Sequence, residues 1–202
     1  MILESEQANE IEQVIKQLKS DPRNSSYSSK GIGPVFQADP QARILIIGQA
    51  PGRKVEETGI PFNDKSGETL MQWMGITADT FYSPAIAIVP MDFYYPGKGK
   101  SGDKPPRRFI AQEYHERILA AMDNVQLTIL IGSYAMKYYL KDRMKENLTE
   151  TVRNYEEYLP AYFPIVHPSP LNFRWQKKNP WFLEEVVPRL QKEVAACLQD
   201  DR

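Results

Sequence analysis

Arg43-Ile44-Leu45-Ile46-Ile47-Gly48-Gln49-Ala50-Pro51-Gly52 is the stretch that decides the fold. Four apolar residues run without polar alternation into a glycine–proline bend, the mark of a strand buried on both faces. Ala85-Ile86-Ala87-Ile88-Val89-Pro90 and Leu127-Thr128-Ile129-Leu130-Ile131-Gly132 repeat the pattern, and Tyr162-Phe163-Pro164-Ile165-Val166 is a weaker fourth copy. The runs lie tens of residues apart with helical periodicity between them, which calls for parallel strands covered by helices on both sides. The expected fold is α/β: a single-domain three-layer α/β/α sandwich over residues 1–202, with a central, mostly parallel four-stranded sheet.

Working outward, Ile11, Val14, Ile15 and Leu18 recur at helical spacing, and Asp21-Pro22 ends that helix. Residues 21–42 read as an ordered loop. Ser66 is expected to cap a helix through Leu70, Trp73 and Met74, and Ser133 one through Met136 and Leu140. Phe109 to Met122 is helical. Asn179-Pro180 reads as a cap with a first-turn proline, opening a last helix in which Pro188 either marks a kink or starts a new helix.

The composition is that of an ordinary globular chain. Of 202 residues, 42% are hydrophobic, enough to build a core, and a chain of this size buries roughly 70% of its unfolded surface. No run of about 18 apolar residues is present, so a membrane span is excluded. The polar, acidic start Met1-Ile2-Leu3-Glu4-Ser5-Glu6 lacks the features of a secretory signal. Cys197 is the single cysteine, which excludes an internal disulfide, a cysteine zinc site and a cysteine-held iron–sulfur cluster. A cytoplasmic, monomeric protein without metal or cofactor is expected.

With 25 basic and 26 acidic residues the net charge is −1, so no global field draws the chain to polyanions. The charge is nonetheless clustered. Lys98, Lys100, Lys104, Arg107 and Arg108 are accompanied only by Asp103, and Arg174, Lys177 and Lys178 by no acid, whereas acids gather at Glu4, Glu6, Glu10, Asp200 and Asp201. The basic groups fit a nucleic-acid or phosphate partner, or simply solvated loops. Tyr94 and Tyr95, next to the first group, either reach such a partner or belong to a surface loop. His115 is read as a surface residue of its helix.

Ligands of parallel α/β sheets bind outside the carboxyl ends of the strands. Four segments there are informative. Gly48-Gln49-Ala50-Pro51-Gly52 is neither a dinucleotide fingerprint nor a phosphate loop, but makes a rigid bend whose N–H groups can face a ligand. Gly59-Ile60-Pro61-Phe62-Asn63-Asp64-Lys65-Ser66-Gly67 sets an aromatic residue, either core or stacking platform, before a helix. Gly132-Ser133-Tyr134-Ala135-Met136-Lys137 follows the third strand. Val166-His167-Pro168-Ser169-Pro170-Leu171 holds one of two histidines between stiffening prolines.

Together these segments resemble the uracil-DNA glycosylase superfamily over about residues 40–176. Gly-Gln-x-Pro and His-Pro-Ser-Pro-Leu are similar to the two active-site motifs of the classical enzymes, while Ala-Pro-Gly at 50–52 and the 59–67 segment are closer to the iron–sulfur branch. The resemblance implies a DNA-repair glycosylase that flips a deaminated base into a pocket and hydrolyses its N-glycosidic bond. It implies His167 and Gln49 as catalytic residues, His167 donating to the departing base. Base-binding would fall to Ala50, Pro51, Phe62, Asn63 and Asp64, with Phe62 stacking. DNA contacts would come from Ser66, Gly67, Ser133, Ser169, Lys98, Lys100 and Arg174, with Leu171 as the wedge filling the vacated stack. The chain departs from the family in having Ala50 where the classical enzymes place an aspartate, Gln49 where the iron–sulfur branch has glutamate, and Ala87 or Ile88 where an asparagine usually reads the base. Asp64 and Asp92 are further candidates for general base. Two other readings stay open: a non-catalytic nucleic-acid-binding member, or an enzyme acting on a free nucleotide.

Overall fold

A computed structural model describes the backbone of residues 2–199 and the side chains of residues 5–199. Glu4, Asp200 and Asp201, named above for their charge, and Met1 to Leu3 of the chain start lie outside that side-chain range. Helix α1 (Ile2–Ser20) ends where the sequence predicts, because the Asp21 carboxylate accepts from the Arg23 N–H and opens a separate 3-10 turn with Pro22. Strand β1 (Ile44–Ile47) follows an ordered loop, then helices α2 (Arg53–Thr58) and α3 (Lys65–Met74), strand β2 (Ile86–Ile88) and helix α4 (108–120). Strand β3 (Leu127–Ile131), helices α5 (Gly132–Leu140) and α6 (Leu148–Arg153), strand β4 (Tyr162–Ile165), and helices α7 (Phe173–Lys178) and α8 (Val187–Gln199) complete the chain.

The strands form one sheet in the order β2-β1-β3-β4, and every pairing is parallel. Ile44 stands between Ile86 and Leu127, and Ile129 beside Phe163. The β1, β2 and β3 runs are buried throughout, as strands covered on both faces must be. Because the chain moves from β1 to β2 in one direction and from β2 to β3 in the other, right-handed crossovers put α3 and α4 on opposite faces. On one side α3 packs with α8, where Trp73 meets Phe182 edge to face at 4.9 Å. On the other α4 packs with α1 through Val14, Leu18, Ile110 and Ile118, all buried. The loop of residues 21–42 is tied to β2: Gln37 exchanges backbone hydrogen bonds with Ile88 and so covers an otherwise open strand edge.

Several local expectations are corrected. Asp64, not Ser66, caps α3, its Oδ1 accepting from the Gly67 N–H at 3.0 Å. Ser133 caps nothing, since α5 begins at Gly132, whose φ of +81° turns the chain sharply out of β3. Asn179 turns its amide back to the Trp175 carbonyl instead of capping the last helix. Pro188 leaves that helix unbroken, because a π-turn at Phe182–Val186 widens the backbone just before the proline, whose ring has no N–H to donate. A second π-turn, Ala111–His115, interrupts α4. His115 is not on the surface: it is 2% exposed. Tyr94 is likewise buried.

Candidate active site

The bend after β1 is held by its carbonyls. The Gly48 oxygen accepts from the Met91 N–H and the Gln49 oxygen from the Asp92 N–H, which stitches the bend to the chain leaving β2. The N–H groups of Gln49 and Ala50 have no backbone partner among the described residues and stay available as donors. The Gln49 amide nitrogen donates to the Lys104 carbonyl at 3.3 Å, leaving its Oε1 as an acceptor.

Phe62 sits at φ +56° in the loop before α3. Its carbonyl oxygen presses on the first helical turn so closely that a Cβ on Gly67 would lie 1.8 Å from it. Gly67 is therefore buried packing beneath Phe62, at a position where only glycine fits. The Phe62 ring stands edge to face on Phe81 at 6.2 Å and lies over Gly48. It is both things the sequence left open, anchored to the core on one side and lining a cleft on the other.

His167 emerges from β4 in a loop that braces itself. The Ser169 N–H donates to His167 Nδ1 at 3.1 Å, the Asn172 amide donates to the His167 carbonyl at 2.7 Å, and Ser169 Oγ accepts from the Leu171 N–H. An Nδ1 that accepts carries no proton, so the neutral ring is the Nε2–H tautomer. Burial pushes the imidazole below its ordinary value of 6.5, against the opposing pull of Asp64 and Asp103. The ring is neutral at pH 7, and Nε2–H has no hydrogen-bond partner among the described residues.

These groups meet in one cleft of about 210 Å³ at the carboxyl ends of β1, β2 and β4. Gly48, Gln49, Ala50 and Pro51 form one wall, Phe62, Asp64 and Ser66 a second, and His167 and Ser169 a third. Ile88 and Pro90 complete the lining, so of Ala87 and Ile88, both core residues, it is Ile88 that borders the cleft. Gln49 and His167 also border a neighbouring hollow of about 230 Å³ that holds Gly132, Ser133, Tyr134, Asn172 and Trp175.

Other residues lie elsewhere. Asn63 is exposed and outside the cleft. Leu171 is 87% exposed in the loop that follows His167, with Phe173 and Arg174 exposed beside it. Lys98 and Lys100 project from a small hairpin closed by a Gly99 N–H to Gly102 carbonyl bond. Asp92 is not an available base: fully buried, it accepts from the Arg107 backbone N–H and side chain and from the Tyr94 N–H. Arg107 thereby leaves the basic surface group for a structural ion pair at 2.8 Å. Sequence reading missed Asp103, which reaches the cleft from the far strand of the hairpin, with its Oδ1 accepting from the Tyr95 hydroxyl. No local pattern marks it, because the hairpin alone carries it back over the bend. Asn172 was missed as well, although its place in the stiff loop after His167 was the available signal.

Two comparisons bear on the chain. The family model for the Uracil DNA glycosylase superfamily matches residues 35–191. A solution NMR structure of a candidate uracil DNA glycosylase from Methanosarcina acetivorans is 17% identical over 76% of this chain and 94% of that one, with a TM-score of 0.43.

Proposed function

The chain belongs to the uracil DNA glycosylase superfamily, and from that premise we propose that it is a monofunctional glycosylase hydrolysing the N-glycosidic bond of a deaminated base in DNA. The observation that carries this is the convergence of His167, Gln49, Phe62 and Asp64 on one cleft from segments far apart in the chain.

A base entering the cleft stacks on Phe62, the phenyl ring in its lining. The bond from C1′ to the base nitrogen breaks with its electron pair leaving on the base, so negative charge gathers on the ring carbonyl oxygen. His167 Nε2–H and the N–H groups of Gln49 and Ala50 are the free donors for that oxygen, and a neutral imidazole suffices. Preorganised donors of this kind are each worth about 2.7–4 kcal/mol. A water, held by Gln49 Oε1, adds to C1′ and gives its proton to Asp64. Asp64 Oδ1 is fixed by the helix cap, which leaves Oδ2 for this role. The apolar Ile88 side chain offers no amide to read the base edge, so discrimination between uracil and other deaminated bases rests on size and on the shared carbonyl. Leu171 acts as the wedge, and Lys98, Lys100 and Arg174 add salt-sensitive affinity for phosphates.

Labelled oligonucleotides carrying uracil, hypoxanthine or xanthine, single- and double-stranded, test the reading once abasic sites are cleaved with alkali. Product from at least one of them is expected. Absence of product from all of them at high protein concentration defeats the proposal.

A further inference from the structure

A third hollow, of about 450 Å³, opens between α5 and the start of α4. It is lined by Pro105 and Pro106, by Arg108 and Gln112, and by Tyr134, Lys137 and Tyr138 over a floor that includes Met91. It continues the two already described: the first and second share Gln49 and His167, and the second and third share Tyr134. The mechanism above uses none of the cations or tyrosines of the third.

The chemistry of the hollow is consistent on every side. Arg108 and Lys137 make no ion pair or side-chain hydrogen bond among the described residues, and no acidic residue lines the hollow. Glu113, one turn along α4, is held away by Arg23 through two bonds of 2.6–2.7 Å. Tyr134 and Tyr138 are 39% and 36% exposed, large apolar surfaces that the fold leaves open. Tyr138 packs edge to face against Tyr139 and His115, with ring centroids at 5.1 and 6.2 Å. Aromatic faces beside unpaired cations suit a nucleotide: the base lies on a ring and the phosphate takes the charge.

We propose that this hollow is a subsite for an unpaired nucleotide neighbouring the damaged one, and that the three hollows together form a track for single-stranded DNA. The proposal rests on the glycosylase reading of the first cleft. An unpaired strand is favoured over a duplex because the recess between the tyrosines and the Pro105-Pro106 rings takes the face of a base. A duplex hides base faces in its stack and presents only phosphates and edges.

Fluorescence anisotropy with a labelled strand of about twelve nucleotides, within the usual site sizes of single-strand binders, tests it. The strand carries a central tetrahydrofuran abasic analogue, which cannot be excised, and is compared with the same strand in a duplex. Tyr138→Ala is expected to weaken the single strand roughly tenfold and the duplex far less. Replacing Arg108 and Lys137 together by alanine is expected to flatten the salt dependence for the single strand by about 0.7 per lost contact in log–log slope. Tyr134→Ala, whose ring makes no ring contact among the described residues, repeats the first arm should Tyr138→Ala unfold. Unchanged single-strand affinity, or equal losses on strand and duplex, overturns the proposal. Because the probe is not cleaved, failure of base excision and failure of strand binding are read separately.

Discussion

The two histidines occupy regions that treat the same side chain in opposite ways. His115, in the π-turn of α4, has both nitrogens engaged: Nε2–H donates to the Pro90 carbonyl at 2.9 Å, which leaves Nδ1 to accept from the Tyr139 hydroxyl at 2.6 Å. The Phe93 and Tyr139 rings lie near-parallel to it at 5.7 and 6.1 Å, and burial drives it down to about 4. His167 is also held neutral by burial, but its loop spends only Nδ1 and leaves Nε2–H free in a cleft. A depressed histidine is thus not in itself a sign of chemistry. What separates the two is one unsatisfied donor facing space that a ligand can fill. The regions meet at Pro90, which lines the cleft while His115 holds its carbonyl.

The contrast is broken most severely by removing each imidazole. His167→Ala is expected to lower the excision rate by about 10²–10³-fold while leaving the thermal midpoint near that of the wild type, since it removes a donor that acts on charge formed during reaction. A comparable loss of rate from His115→Ala without loss of stability would make the two regions equivalent and end the distinction.

Proton linkage gives the next effect. The unfolded chain's His115 takes up a proton near the ordinary value of 6.5, whereas the folded one does so only near 4. Between those values the unfolded state binds the extra proton, so stability falls as pH drops through the window, by about 3 kcal/mol in all. Urea unfolding at neutral pH and near pH 4, for the wild type and for His115→Gln, measures it as the difference between the two slopes. Equal slopes place the linkage elsewhere.

The smallest expected effect is that of Tyr139→Phe. It takes away the hydroxyl that donates to His115 Nδ1 and leaves a buried acceptor unmet, at a cost of about 1–2 kcal/mol. The excision rate should stay on the wild-type scale, because the Pro90 carbonyl keeps its own bond. Denaturation midpoints and single-turnover rates on one variant check both halves.

How much was legible beforehand depends on the range over which each residue acts. The strands could be read because Ile44–Ile47 and Leu127–Ile131 are apolar without interruption, a property of adjacent residues. Gln49 and His167 could be read because each lies in a stiff bend just past such a run, and Phe62 because it stands in a Gly-Pro loop just before a helix. Helix starts were read less well. Ser66 and Asp64 are both acceptable caps, and the close seat of the Phe62 carbonyl on Gly67 decides between them. Asp92 and Arg107 looked like a base and a surface cation only while their pairing, across fifteen residues of chain, was hidden. His115 looked exposed because the π-turn that rotates it inward has no local signature.

By itself, the order of residues determined the layered α/β architecture, the family and the segments that flank the cleft, because backbone conformation and alternation of polarity are set within a few neighbours. Only the folded chain decided which carboxylate is buried in an ion pair and which faces the cleft, and which imidazole keeps a free N–H. It alone set three hollows side by side, the first and second sharing Gln49 and His167, the second and third Tyr134. Those outcomes depend on contacts between residues distant in sequence, whose partners are fixed by how helices seat on the sheet and by nothing written beside them in the chain.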